Sequence, residues 1–249
     1  MPDAPGFGGV RELLLDIEGT TTPVDFVARV LFPYAREHVR DFLMRQAPTD
    51  RALQDDLAVL FADHRTDERA GQSPPPWRND SPAAVLDSAV TYVHWLMDRD
   101  RKSTALKALQ GRIWEVGYRA GELKGKAAVY RDVRPALARW QKAGKRIAIF
   151  SSGSIQAQRN LFANTTDGDL SSFLSGYFDT TTGSKREATS YRQIAATLGQ
   201  EPRDVVFISD VTAELDAARA AGMQTALCVR GAGSPDTDHP RIRSFAELA

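Results

Sequence analysis

Two carboxylates follow an apolar run near the start of the chain, in the stretch "ELLLDIEGTTTPVDF". Asp16 and Glu18 come after leucines that we expect to be buried, and a carboxylate at the rim of a core is costly unless a cation or a reaction accounts for it. An aspartate there can attack phosphorus, which replaces one slow hydrolysis by two easier steps through an acyl phosphate. We predict Asp16 as the nucleophile and Glu18 as the acid that protonates the leaving oxygen and then deprotonates water.

Hydroxyls, a lysine and another carboxylate follow further runs of the strand type. Ser151 and Ser152 come after "RIAIF". Lys185 follows the weaker run "SGYFD", and Asp210 follows "VVFIS". Because the carboxyl ends of parallel strands meet at one edge of a sheet, we expect these side chains to lie near Asp16. Asp16 and Asp210 would hold Mg²⁺, while Lys185 and the serines would bind the phosphate oxygens.

Strand-type and helix-type segments alternate over much of the chain. The strand candidates are the leucine run before Asp16, "RIAIF" ending at Phe150, "SGYFD" ending at Asp179, "VVFIS" ending at Ser209 and "TALCV" ending at Val229. The helix candidates are residues 133–142, 155–162, 190–198 and 213–221, with glycines near three of their ends at Gly144, Gly199 and Gly222. This rhythm predicts an α/β fold, a doubly wound parallel sheet with helices on both faces.

The alternation stops between residues 24 and 126. Long amphipathic patterns there, such as "VARVLFPYAREHVRDFLM", "AAVLDSAVTYVHWLMDRD" and "STALKALQGRIWEVGY", predict helices. We therefore expect a helical cap domain at residues 24–126, inserted after the first strand of an α/β catalytic core at residues 1–23 and 127–249. Such a cap would stand over the strand ends as a lid. The prolines of "AGQSPPPWRNDSP" exclude a helix and indicate a mobile connection.

Composition limits the kinds of partner. The 249 residues are 42% hydrophobic, enough for a sizeable core, and the 32 basic and 32 acidic residues cancel. The chain therefore has no net field that attracts nucleic acid or an anionic membrane, and no apolar run approaches the about 18 residues of a membrane span. Cys228 is the only cysteine, expected as a small core residue. We expect a cytoplasmic monomer with a small-molecule substrate, without nucleic acid or membrane partners.

The order of these residues resembles that of the haloacid dehalogenase (HAD) superfamily of phosphatases. The motifs of that superfamily are an apolar strand followed by D-x-D-x-T, a strand that ends in serine or threonine, a lysine, and a strand that ends in acid. The matching positions here are Asp16, Glu18, Thr20, Ser151, Lys185 and Asp210. Glu18 departs from the pattern, since a second aspartate is usual there. The resemblance implies an aspartyl-phosphate intermediate on Asp16.

Longer stretches are similar to one branch of that superfamily, the enolase-phosphatase E1 family of the methionine salvage pathway. The stretches are "DIEGTTTPVDFV", "LFPYARE", "DRKSTALKALQG", "SSGSIQAQ", "FDTTTGSKREATSY" and "FISDVTAELDAA". Together they extend the resemblance over nearly the whole chain apart from the proline-rich stretch.

The resemblance to this branch implies a Mg²⁺-dependent bifunctional enzyme. Its substrate would be a phosphorylated diketone, 2,3-diketo-5-methylthiopentyl-1-phosphate, which is enolised and dephosphorylated to the acireductone 1,2-dihydroxy-3-keto-5-methylthiopentene. Mg²⁺ would be bound by the side chains of Asp16 and Asp210 and by the backbone carbonyl of Glu18. The implied substrate-binding residues are Ser151, Ser152 and Lys185.

Other functions are compatible with parts of this pattern. A HAD phosphatase for another small phosphate ester would share every motif. A dehalogenase would attack carbon through Asp16 but would need neither a metal nor an acid at residue 18, so Glu18 and Asp210 argue against it. A receiver-like regulatory module phosphorylated on Asp16 would be far shorter and would lack a large helical insert.

Two roles are possible for several single residues. Ser151 and Ser152 stand where helix N-caps are common. Glu214, one helical turn past the last acid of the motifs, fits either a support of the metal site or the exposed surface. The base for the enolisation step stays unassigned, with Glu18 and Glu115 as candidates.

Overall fold

The chain forms two compact units. The structure, a computed structural model, describes residues 9–101, 103–233 and 236–248. Residues 27–122 make up the first unit, named here the helical unit. Residues 1–26 and 123–249 make up the second, named the α/β unit. Among the described residues, no helix is both long enough and apolar enough to cross a lipid bilayer.

The helical unit consists of a short π-helical segment, Val27–Leu31, followed by four α-helices. These helices are α1 (Phe32–Gln46), α2 (Arg51–Arg69), α3 (Pro82–Asp98) and α4 (Thr104–Arg119). The last three begin at N-caps whose side chains accept a backbone N–H of the first turn, namely Asp50, Ser81 and Ser103. Helix α2 lies outside the three amphipathic patterns. Two of its buried residues are polar, His64 and Asp67, so its buried face does not show as an apolar stripe.

The proline-rich connection between α2 and α3 is non-helical, as its prolines predict. Its mobility stays a prediction, and in the structure the segment contacts both helices. The Trp77 ring lies 5.3 Å from the ring of His64 in α2. His64 Nε2 is also 2.7 Å from the Pro75 carbonyl oxygen, and Ser88 Oγ in α3 accepts the Arg78 N–H at 3.0 Å. These contacts hold the segment against the core of the helical unit.

The α/β unit is built on a parallel sheet. Its strands are β1 (Glu12–Leu15), β2 (Arg146–Phe150), β3 (Gly176–Phe178), β4 (Val205–Ser209), β5 (Gln224–Cys228) and β6 (Arg241–Ile242). Its α-helices are α5 (Val133–Lys142), α6 (Ile155–Ala163), α7 (Ala188–Leu198) and α8 (Thr212–Ala220). The strands lie in the order β3-β2-β1-β4-β5-β6, and all neighbours are parallel. The chain changes direction across the sheet at β1, and ligands bind at such switch points beyond the carboxyl ends of the strands.

Both faces of this sheet are covered, which confirms the predicted fold class. Leu13, Leu14 and Leu15 of β1 point alternately to the two faces, and each is at most 3% exposed. On one face, Leu14 belongs to a buried cluster with Tyr191 of α7 and Leu215 of α8. Because both faces are removed from water, the strands are near-continuous apolar runs in the sequence.

One edge of the sheet differs from the prediction. β6 has two residues and pairs Arg241 with Leu227 and Ile242 with Cys228. A pair of residues carries no periodic pattern, so β6 is absent from the sequence-based strands. Cys228 in β5 is buried, as expected, and burial raises the pKa of its thiol to about 12.

Candidate active site

Asp16 lies directly after β1 and is 6% exposed. Its N–H donates to the Ile208 carbonyl at 2.9 Å, which continues the pairing with β4 one residue past the end of β1. Lys185 Nζ lies 2.7 Å from Asp16 Oδ1, and Ser209 Oγ lies 3.0 Å from Oδ2. Groups that follow or end other strands therefore bind both carboxylate oxygens of Asp16.

Lys185 lies in the connection from β3 to α7, and its side chain is 10% exposed. The Tyr191 hydroxyl on α7 donates to the Lys185 carbonyl at 2.7 Å, which fixes the backbone from which the side chain extends. Lys185 Nζ is also 2.6 Å from Glu214 Oε2. Burial alone would lower the pKa of Lys185, but the charges of Asp16 and Glu214 raise it above its ordinary value. Lys185 is therefore a cation at neutral pH.

Glu214 belongs to this cluster and not to the exposed surface. It lies in the first turn of α8, and its side chain is 12% exposed. Its Oε2 lies 3.1 Å from Ser209 Oγ as well as next to Lys185. Burial and the charge of Asp16 raise the pKa of Glu214 despite the nearby ammonium group. Glu214 thus binds Lys185 Nζ and Ser209 Oγ, the same two groups that bind the Asp16 carboxylate.

Glu18 is exposed in the turn after Asp16 and pairs with Thr22 in an isolated β-bridge. The Ile17 carbonyl accepts the N–H groups of Thr20, Thr21 and Thr22 at 3.2, 2.9 and 2.9 Å. The N–H of Gly19 returns to the Thr22 carbonyl at 2.8 Å. Residues 16–22, named here the acid/base turn, therefore form a closed, tightly bonded loop that presents the Glu18 side chain to its surroundings.

Asp210 packs directly on the backbone of this turn. Gly19 has a φ of +70°, and a β-carbon added there would overlap the Asp210 carboxylate. Burial, followed by the nearby charge of Asp16, raises the pKa of Asp210 to about 6. The end of β4 and the turn after β1 therefore bring the carboxylates of Asp16 and Asp210 close together.

Alanine at position 19 is expected to lower activity about 100-fold, because its β-carbon would push Asp210 or the turn aside by about 1 Å. Gly144→Ala is the matched control. Gly144 has a φ of +75° with no atom within 4 Å of an added β-carbon. Both variants bear the left-handed backbone cost of about 1 kcal/mol, and only Gly19→Ala bears the overlap. The measurement compares phosphate-release rates and urea unfolding curves of the two variants. Equal rates would show that activity does not depend on the packing of Asp210 against Gly19.

Ser151 and Ser152 follow β2, the neighbour of β1. Ser151 is 9% exposed and its Oγ accepts the Gly153 N–H at 3.2 Å, while Ser152 is exposed. Neither serine is a helix N-cap, because Ser154 has that role for α6. Within the described part of the chain, neither side chain is hydrogen-bonded to Asp16, Lys185 or Asp210, so the structure places the serines at the same sheet edge but outside the bonded cluster.

Two buried side chains that the motifs do not include support the segment that carries Ser151 and Ser152. Gln158 of α6 is 1% exposed, and its Nε2 donates to the carbonyls of Gly153 and Phe178 at 2.8 Å each. Asp179 Oδ2 accepts the Ile155 N–H at 3.1 Å. In the sequence, a glutamine in a helix and an aspartate after a weak strand are too common to indicate these roles.

Comparison with known proteins identifies the family of this chain. The profile of haloacid dehalogenase-like hydrolases matches residues 11–222. Enolase-phosphatase E1 of Synechococcus elongatus is 54% identical over 96% of this chain and 98% of its own length. Enolase-phosphatase E1 of Branchiostoma floridae is 44% identical over 97% of this chain and 84% of its own.

A solved structure also matches this chain over nearly its full length. The UTR4 protein (Unknown transcript 4 protein) of Saccharomyces cerevisiae matches with a TM-score of 0.71 and 31% identity, over 96% of this chain and 100% of that one. These matches confirm the resemblance that the motifs indicated. The chain belongs to the haloacid dehalogenase-like hydrolases and, within them, to the enolase-phosphatase E1 family.

Proposed function

We propose that this chain is a bifunctional enolase-phosphatase of the methionine salvage pathway. It enolises 2,3-diketo-5-methylthiopentyl-1-phosphate and hydrolyses the phosphate ester, giving the acireductone 1,2-dihydroxy-3-keto-5-methylthiopentene and inorganic phosphate. The observation that carries the proposal is the buried carboxylate of Asp16, bonded to Lys185 and Ser209 at the strand ends of a chain whose relatives are named enolase-phosphatases.

Asp16 and Glu18 are the residues that we assign to the phosphoryl-transfer step. A carboxylate oxygen of Asp16 bonds to phosphorus while the bond from phosphorus to the ester oxygen breaks, and Glu18 gives its proton to that oxygen. Glu18 then takes a proton from water, which attacks the acyl phosphate and frees Asp16. Lys185 Nζ, 2.7 Å from Asp16 Oδ1, offsets the negative charge that gathers around phosphorus.

The donor set at the strand ends suits Mg²⁺. Asp16 and Asp210 contribute neighbouring carboxylates and Glu18 contributes a backbone carbonyl, and oxygen ligands are those that this cation prefers. Asp210 is packed against the turn that carries the Glu18 carbonyl, so all three donors come from one small region. When bound, Mg²⁺ supplies positive charge that reduces the repulsion between a carboxylate nucleophile and a phosphate dianion.

Substrate contacts are proposed for Lys185, Ser151 and Ser152. The lysine is a buried cation, and the exposed Ser152 has its hydroxyl available at the same sheet edge. Hydroxyls and ammonium groups are suitable donors to phosphate oxygens. The roles of these three residues stay predictions until variants are assayed.

The enolisation step needs a base that removes a proton from the carbon next to a carbonyl. Glu115 lies in α4 of the helical unit and is bound by Arg119, whose Nη2 lies 2.5 Å from its Oε1. Glu18 lies two residues after Asp16, the proposed nucleophile, which makes it the better candidate of the two.

The remaining predictions concern the whole chain. We propose residues 24–126 as a cap domain that selects the substrate and residues 1–23 with 127–249 as the catalytic core. Cytoplasmic localisation and a monomeric state also stay predictions.

One assay tests this function. Purified protein is mixed with the diketo phosphate with and without Mg²⁺, and inorganic phosphate and the near-ultraviolet absorbance of the conjugated enediol are recorded together. We expect both products with Mg²⁺ and neither after a chelator is added. Phosphate release from generic esters alone would favour the second candidate, a HAD phosphatase for another small ester, and would overturn the substrate assignment.

A further inference from the structure

Arg230 lies just past β5, and its side chain is 8% exposed. Its Nε and Nη2 donate to the carbonyl oxygen of Thr20 at 3.0 and 2.8 Å. Its Nη1 lies 2.7 Å from Asp132 Oδ2. This guanidinium is therefore a buried cation. The N–H donors along its edge point at the backbone of the acid/base turn and at one carboxylate.

The guanidinium is also immobilised by its neighbours. Its carbon lies 4.3 Å from the centre of the Tyr130 ring and 4.6 Å from that of Phe245. Asp132 Oδ2 also accepts the Phe245 N–H at 2.6 Å and the Ser244 hydroxyl at 3.0 Å. Burial would raise the pKa of Asp132, but these bonds and the Arg230 charge lower it below its ordinary value. Arg230 and Asp132 thus form a fully bonded charge pair.

The acid/base turn needs such donors from outside. Its inner bonds converge on the Ile17 carbonyl, which leaves the carbonyls of Thr20 and Thr21 directed away from the loop. Arg230 binds the first of these carbonyls, and the Tyr130 N–H binds the second at 3.1 Å. Buried carbonyls require partners, so these bonds set where the turn lies against the sheet.

We propose that Arg230, held by Asp132, is a positioning residue that fixes the acid/base turn, so that the Glu18 carboxyl meets the leaving oxygen. The proposal rests on the proposed phosphatase chemistry. Glu18 lies two residues before Thr20, whose carbonyl is held by the guanidinium. Because proton transfer requires the acid within hydrogen-bond reach of the leaving oxygen, a small shift of the anchor lowers the rate of the acid-dependent step.

The test separates reactions by their need for an acid. The leaving group of p-nitrophenyl phosphate departs without a proton, whereas the alkoxide of n-pentyl phosphate requires one. At saturating Mg²⁺, which offsets any loss of metal affinity through the Glu18 carbonyl, we expect Arg230→Gln to lower kcat for the alkyl ester about 100-fold and kcat for the aryl ester less than about fivefold, with KM for both nearly unchanged. Arg230→Lys keeps the charge but loses the bidentate contact with the Thr20 carbonyl. Its kcat should therefore also fall more for the alkyl ester than for the aryl ester, but by a smaller factor than in Arg230→Gln.

Two controls make the result specific to the turn. Arg146, the first residue of β2, also binds one carboxylate and one backbone carbonyl, those of Glu12 and Leu198, without contact to the turn or to Asp132, so Arg146→Gln should hydrolyse both esters like the wild type. In a Glu18→Gln background, Arg230→Gln should reduce alkyl-ester hydrolysis by less than about twofold more, because both changes remove the same step.

Three results would overturn the proposal. They are equal losses on the two esters, an undiminished further loss on adding Arg230→Gln to Glu18→Gln, and a loss of the same size with the same preference between esters in Arg146→Gln. If Arg230→Gln does not fold, Arg230→Lys decides by the same ratio of rates. Hydrolysis of the two esters by the wild type is measured without the diketo phosphate, so failure of that substrate assignment is seen separately.

Discussion

Replacing Asp16 by asparagine is expected to lower the rate of phosphate release by at least about 10⁴-fold, because an amide is a poor nucleophile. The fold should survive. Asparagine has nearly the same shape, and its side-chain oxygen can still accept from Lys185, which lies 2.7 Å from Asp16 Oδ1. Loss of the charge also removes a cause of the raised pKa values of Asp210 and Glu214. The measurement is phosphate release, with mass spectrometry of acid-quenched protein to detect covalent phosphate.

The matched control is Asp216→Asn on α8. Asp216 is 54% exposed in its side chain and pairs with Arg219 at 2.9 Å, away from the cluster around Asp16. We expect wild-type rates and trapped phosphate in this variant and neither in Asp16→Asn. A variant with asparagine at position 16 that kept more than about a tenth of the wild-type rate would require another nucleophile.

The meeting of Asp16 with Lys185 could be predicted because both residues follow strands of one parallel sheet. β2, β4 and α5 have the predicted bounds, Arg146–Phe150, Val205–Ser209 and Val133–Lys142. Buried parallel strands are apolar on both faces, so they are plain in the sequence, and their carboxyl ends share one edge. The catalytic roles of the residues at that edge stay predictions.

The bonds that support the site could not be predicted in this way. Arg230 and Thr20 are 210 residues apart, and their contact joins a side chain to a backbone carbonyl, which carries no residue preference in the sequence. The same holds for Gln158 and the Gly153 carbonyl. Helix α2 was outside the amphipathic patterns for a related reason, since buried His64 binds a backbone oxygen outside the helix, that of Pro75, at 2.7 Å. Polar contacts of this kind can be identified only from the folded structure.

Replacing Lys185 by methionine is expected to lower kcat/KM by about 100-fold to 1,000-fold, equivalent to the about 3 to 4 kcal/mol lost with one preorganised donor. Methionine keeps the length of the apolar stem. It removes the ammonium group that lies 2.7 Å from Asp16 Oδ1 and 2.6 Å from Glu214 Oε2, so these two carboxylates face each other without it. Breaking one buried charge pair costs about 3 kcal/mol, so the free energy of unfolding should fall as well.

Lys145→Met is the control, because it removes an ammonium group from the opposite end of the same sheet. Lys145 Nζ donates to the Val10 carbonyl at 3.3 Å, just before β2 and β1 begin. We expect this variant to keep wild-type kcat/KM and nearly the wild-type free energy of unfolding. Both variants are assayed at a temperature where urea curves show them fully folded. If Lys185→Met then keeps its kcat/KM but loses stability, Lys185 only balances Asp16 and Glu214, and the charge on the transferring phosphate must be offset by other groups.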